Sequence, residues 1–206
     1  ASGTTSNWND GGNWSGGTAP SVGDDLIFAG SLQTSPVQNF AAATSFASIT
    51  FAAGAATFTL TAGNSITLTG NITDSSSNNQ NVAIPIILNV GTSTMSTANN
   101  LTMSGIISET GGARAITKSG AGTLTMGIDN TALSMTYSGG TTISAGRLWG
   151  TAQNNASFGT GTITISSGAN LYLSRVNAAN NIVINGGSIE MTNGFGSSIS
   201  GTITNN

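Results

Sequence analysis

Residues 115–149, AITKSGAGTLTMGIDNTALSMTYSGGTTISAGRLW, consist of short runs in which apolar side chains alternate with Thr or Ser, each run closed by glycine. In Thr123-Leu124-Thr125-Met126 every second side chain is apolar, the two-residue period of a strand with one buried face, and Thr141-Thr142-Ile143-Ser144 continues in the same style. The unit recurs as ATFTLTAG (56–63), NSITLTGN (64–71), GTITISSGANLYL (161–173), NIVINGGSIEM (181–191) and SISGTITNN (198–206). Strands this short, repeated with glycine at the corners, point to an all-β repeat fold.

Hydrophobic residues make up 37% of the 206 residues, enough for a core, whereas charged residues make up only 5%, against about a quarter in ordinary soluble domains. The surface must therefore be Ser, Thr, Asn and Gly. The alternating Ile, Leu and Val argue that these polar residues are the outward halves of strands rather than a disordered chain. Four Lys and Arg against seven Asp and Glu leave a net charge of −3, too few cations to neutralise a row of phosphates, so no nucleic-acid partner is expected. No apolar stretch approaches the roughly 20 residues of a membrane helix, and no membrane insertion is expected. With no cysteine, no disulfide staples the fold. Cationic cleavage points for proteases are confined to Arg114, Lys118, Arg147 and Arg175, which suits a chain that lives outside the cell. A start at Ala-Ser-Gly is compatible with removal of a signal peptide at a small-residue site.

Along the chain, residues 7–30 stand apart: Trp8 and Trp14 are two of the three tryptophans, and Asp10, Asp24 and Asp25 three of the five aspartates. Stacked strands leave an apolar end that an atypical terminal unit must cover. The expected organisation is therefore a Trp-rich cap with the first strand over 1–30 and repeats over 31–206, in one domain. Strands are expected at Leu26-Ile27-Phe28, Phe46–Phe51, Thr57–Thr61 and Ser65–Thr69, and the wholly polar DSSSNNQ of 74–80 is expected to protrude as a loop. Helical periodicity is absent. A β-sandwich would ask for many hairpin turns, yet only Asp10-Gly11, Asn185-Gly186 and Asn193-Gly194 offer them, so stacked parallel strands are the preferred architecture and the sandwich the alternative.

Within 113–173 the pattern becomes specific. Lys118, Gly120, Gly122 and Leu124, followed by Tyr137, Gly139, Gly140, Thr141, Gly146 and Leu148, resemble the Lys-x-Gly-x-Gly-x-Leu and Tyr-x-Gly-Gly-Thr-x-x-x-x-Gly-x-Leu strands of the bacterial autotransporter-associated β-strand repeat. The resemblance implies a right-handed parallel β-helix of a secreted or surface-displayed passenger, adhesive or structural. The opening NW…GGNWSGG…P…GDDLIF resembles the start of such proteins.

Catalytic chemistry is scarce. The chain has neither His nor Cys, which removes the commonest general base, zinc ligands and the thiol nucleophile. Asp24-Asp25, the one adjacent carboxylate pair, sits where strand alternation turns its members to opposite faces and reads as a solvated turn. Polysaccharide lyases share the parallel β-helix, but Glu109, Asp129, Arg114, Arg147 and Arg175 are scattered rather than gathered on one face. Asp129-Asn130, or Asp74 with Asn78 and Asn79, carry oxygen ligands suited to calcium without any recognised calcium-loop spacing. No catalytic, cofactor or metal site is expected. Lys118 is expected at a strand edge in preference to a covalent cross-link with an Asn side chain. Asn13, Asn71, Asn100 and Asn155 open glycan-acceptor triplets of the kind expected by chance. Trp8, Trp14 and Trp149 are expected to serve capping and packing before sugar stacking.

The sequence thus supports a secreted structural solenoid that assembles with itself head to tail into a fibre, sheath or matrix. Trp8 and Trp14 lie at one end of the contact, and Ile199, Thr202, Ile203 and Thr204 of the unpaired last strand at the other. The alternative is a monomeric adhesive passenger that binds cell-surface glycans, with a lyase behind both.

Overall fold

The computed structural model describes residues 5–61, 63–127, 134–151, 157–192 and 196–206. All strand-to-strand ladders among them are parallel. The chain winds as a β-solenoid whose turns lay strands on up to three sides. Ile72–Asp74, Gln80–Val82 and Ile86–Leu88 make one such turn, and Thr92–Thr97 begins the next directly against Ile72–Asp74. The longest side is a nine-stranded sheet running in chain order from Asp25–Phe28 to Ile203–Asn205. A second side holds seven strands, from Thr59–Leu60 to Ser188–Met191, and a third holds four, from Thr44–Phe46 to Ile107–Glu109. This topology excludes the sandwich alternative, whose strands would pair antiparallel.

Alternation dictates the core. Along the long sheet, Leu26, Ile49, Ile72, Met95 and Lys118 are register partners, each 23 residues after the one before, and all face inward. Ile143, Ile165 and Ile184 continue the column at 25, 22 and 19 residues. On the second side Leu101, Leu124, Leu148 and Leu171 stack likewise. The outward positions of the long sheet are mostly Ser and Thr, whose branched or small side chains tile a pleated surface.

The third side loses its regular ladder after Ile107–Glu109 but is not vacant. Thr136 donates its N–H to Ile107 O at 2.9 Å, Ser138 donates to the Glu109 carboxylate at 3.0 Å, and Thr160 donates to Tyr137 O at 3.0 Å. Buried Asn180 donates to the carbonyls of Gly159 and Gly161 at 3.1 and 2.8 Å.

Two expectations change. Phe46–Phe51 is not one strand: Thr44–Phe46 belongs to the third side and Ser48–Phe51 to the long sheet, with a corner at Ala47. Phe46 and Ile49 both face inward although three residues apart, a slip in the two-residue period that only a corner permits. Nor does 74–80 protrude. Asp74, Ser76 and Gln80 are buried; Gln80 donates to Ala56 O at 2.9 Å and accepts from Phe58 N at 2.8 Å, while Asn78 donates to Ala55 O at 2.8 Å. Ser75, Ser77, Asn78 and Asn79 face out, and the run lies flat because Asn78 and Gln80 satisfy backbone groups of the preceding turn.

At the first turn the cap packs rings. Trp8, 1% exposed, lies 5.5 Å from Phe28 and 6.1 Å from Phe46 between ring centroids, and Trp14 lies 5.8 Å from Phe28. Trp8 N–H donates to Val37 O and the Trp14 indole to Trp8 O.

Stability should follow the inward columns. Ile72→Ala is expected to cost about 2–5 kcal/mol, and Thr73→Ala, one residue on and facing out, within about 0.5 kcal/mol. Chemical denaturation of both variants measures the contrast.

Candidate functional site

The signature residues converge inside one turn of the coil. Lys118 lies on the strand Ala115–Ser119 in the middle of the long sheet, fully buried between Met95 and Ile143 of its column. The strand-edge expectation is therefore corrected: with Ile116 inside and Thr117 and Ser119 on the other parity, the two-residue period leaves Lys118 no place but the interior. Its ammonium spends its three donors on three carbonyls, Ser119 O at 2.7 Å, Gly120 O at 2.8 Å and Ala145 O at 3.1 Å. The first two belong to its own corner and the third to the corner of the next turn, so one side chain ties consecutive turns together. Among the described residues no side-chain amide or carboxylate is bonded to it, as an Asn cross-link would require. Burial pushes the amine down to about 8.

The glycines make room for this bond set. A Cβ on Gly146 would stand 2.5 Å from the carbonyl oxygens of Gly120 and Gly122 and 2.9 Å from Lys118 Nζ, and one on Gly122 would overlap the backbone of Asn99. Gly120 and Gly140 have φ of 75° and 92°, and Gly139 packs against the Arg114 peptide. Leu124 and Leu148 are the neighbouring core leucines of the second side. Tyr137 is fully buried with its hydroxyl 2.7 Å from Thr141 Oγ1, which donates onward to Phe158 O at 3.4 Å. Burial raises the Tyr137 phenol well above its ordinary value.

The acidic candidates are occupied locally. Asp24 accepts from Ser21 N at 2.7 Å and Asp25 from Ser48 Oγ at 2.5 Å. Glu109 accepts from Arg114 N at 2.6 Å and from the Ser138 hydroxyl and N–H at 2.6 and 3.0 Å; desolvation opposes its ionisation, but these bonds outweigh it and hold the carboxyl below the usual range. Burial raises Asp74, with Ser76 bonds pulling partly back. Asn78 binds Ala55 O, and Asn79 accepts from Asn99 and Asn100. Among the described residues no three His, Cys, Asp or Glu side chains gather to hold a metal ion. Asp129-Asn130, Asn193-Gly194 and Asn155 lie outside the described residues. The amides of Asn13 and Asn71 serve Asn7 O and Thr94 N.

At the ends of the column, a cleft of about 320 Å³ opens beside Trp14, Ile27, Phe28, Leu32 and Phe58, with no charged residue in its lining. At the far end Ile199 is half-buried opposite Ala178, Thr202 N binds Asn181 Oδ1 at 3.0 Å, and Ile203 and Thr204 lie exposed on the last strand.

These features define a parallel β-solenoid carrying an internal structural signature centred on Lys118. Residues 116–149 match the family described as passenger-associated-transport-repeat, a span that begins two residues before Lys118 and ends one after Leu148. The match and the solenoid around it fit an autotransporter-associated β-strand repeat protein. No curated protein and no solved structure matches the chain. Among the described residues no helix is long and apolar enough to cross a membrane.

Lys118→Met places in the column the side chain already used at Met95. It is expected to cost about 3 kcal/mol near pH 7, the order expected when buried carbonyls lose a charged donor. The folded amine titrates near 8 and a free lysine near 10.4, so between them the unfolded chain binds more protons and stability rises with pH. Denaturation curves from pH 7 to 10 should show the wild type gaining on Lys118→Met above pH 8. Above pH 10 the raised Tyr137 phenol works the other way in both proteins, because the unfolded chain's phenol ionises while the buried one keeps its proton, so stability falls as pH rises.

Proposed function

We propose that this chain is a mechanical element: a secreted or surface-displayed β-solenoid of the passenger type that joins head to tail into an extracellular fibre, sheath or matrix. The single observation that carries this reading is where apolar surface is exposed. Six large hydrophobic side chains are exposed among the described residues, and five lie on the first or last turn: Val22, Ile27 and Leu32 at one end, Met191 and Ile203 at the other. Among the described residues the inward columns between them are sealed, and the long sheet begins at Asp25–Phe28 and ends at Ile203–Asn205. A parallel strand edge with apolar neighbours accepts another strand of the same register, and a heterologous contact of this kind grows into a filament when it does not close. The scattered carboxylates, each bonded to its own surroundings, support a mechanical role over a catalytic one.

Sedimentation velocity over a hundredfold range of concentration, with negative-stain electron microscopy, tests the reading. Concentration-dependent growth into filaments is expected for the wild type, and Ile203→Asp or Ile27→Asp should yield single short particles. A wild type that stays monomeric throughout, or filaments that survive both substitutions, would overturn head-to-tail assembly.

A further inference from the structure

The outward face of the seven-stranded side changes character along the column. Its earlier strands present Thr59, Asn81, Asn100, Thr102, Thr123 and Thr125, small polar side chains that need no partner. The next three strands present Arg147 and Trp149, then Asn170 and Tyr172, then Ser188 and Glu190, in register. Trp149 and Tyr172 are half-buried on this outward face, outside the sealed core, where the earlier strands carry only small polar residues.

The groups are organised as a unit. The Trp149 and Tyr172 rings lie 5.5 Å apart, tilted by 57°. The Arg147 guanidinium passes over the Tyr172 ring at 5.1 Å and reaches Glu190 Oε2 at 3.0 Å, the ion pair of the described residues. Its Nε donates to Asn170 Oδ1 at 2.9 Å, and Asn170 donates on to Ser188 Oγ at 3.0 Å. The Trp149 ring is half-buried, and its indole nitrogen is itself buried with no acceptor among the described residues. Long side chains are thereby held in place before any ligand arrives, which lowers the ordering cost of binding.

From this arrangement we infer that the Arg147, Trp149, Asn170, Tyr172 and Glu190 face is a lateral binding surface for a neutral glycan chain. Aromatic rings take the C–H faces of pyranoses, while guanidinium, amide and carboxylate groups bond neighbouring hydroxyls as donors and acceptors. The paired charges cancel, which fits an uncharged ligand. A protein partner suits the face less well: a stable protein contact needs about 800 Å² a side with an apolar centre, and the outward positions on these strands and the two before them hold no aliphatic side chain. The surface lies on the flank of the column and runs to the last strand of its sheet, Ser188–Met191, and a filament would repeat it along its length.

Tryptophan emission is followed while cellohexaose, xylohexaose, mannohexaose and chitohexaose are titrated into the full chain. At least one is expected to shift the emission saturably. Trp149→Ala and Tyr172→Ala should weaken that oligosaccharide about tenfold with unchanged thermal melting, and Trp14→Ala should not. Glu190→Gln, a half-exposed position that folding does not depend on, should weaken it as well and serves if the aromatic variants misfold. No saturable response to any of the four, or a response that survives Trp149→Ala and Glu190→Gln alike, would overturn the inference. Particle mass that grows with concentration and is lost in Trp149→Ala, without an oligosaccharide response, would assign the face to contact between copies and overturn it too.

Discussion

Everything in this structure rests on parallel strands stacking in register, so that each inward residue meets its counterpart on the turns above and below. That constraint converts a chain with few large side chains and very few charges into a continuous core, because each short strand buries its apolar half against two neighbours rather than one. It also sets the cost of error. A one-residue slip of a strand would turn its inward residues outward, so the corners must hold each strand in register even where the length of a turn changes. The buried polar groups do this. Asp74, Ser76 and Gln80 fix one corner, Asn180 another, and Lys118 joins two at once.

The repeat signature becomes intelligible in these terms. Lysine in the core is costly to desolvate, and the downward shift of its amine registers that cost. What offsets it is three carbonyls at a corner where backbone groups cannot all reach a ladder partner, and glycines at Gly122 and Gly146 that let those carbonyls come close. Tyr137 and Thr141 extend the same device to the irregular third side, where a side-chain bond substitutes for a missing strand.

Strand identity and the parallel architecture were legible in the alternation of Thr with Ile, Leu and Val, and the signature segment in its glycine spacing. The corners were less so. The break at Ala47 is visible only as a parity slip between Phe46 and Ile49, and a run such as DSSSNNQ looks like solvent-facing loop until its hydrogen-bond partners on the preceding turn are known. Lys118 was misread because charge outweighed parity: the residues on either side already placed it inside, and its 23-residue distance from Met95 repeats the spacing from Leu26 onward. The grouping of Arg147, Trp149, Tyr172 and Glu190 was hidden for the opposite reason, since residues up to 43 positions apart meet only once the turns are stacked.

The absence of cysteine makes the register directly measurable. Ser48, Thr142 and Thr204 lie on one outward column of the long sheet, with Thr142 four strands and Thr204 seven strands beyond Ser48. Electron–electron distances between spin labels on cysteines introduced at Ser48 and Thr142, and at Ser48 and Thr204, should centre near about 19 and 34 Å plus the label tethers, at about 4.8 Å per strand. Two similar distances, or a shorter one for the more distant pair, would contradict a single in-register stack.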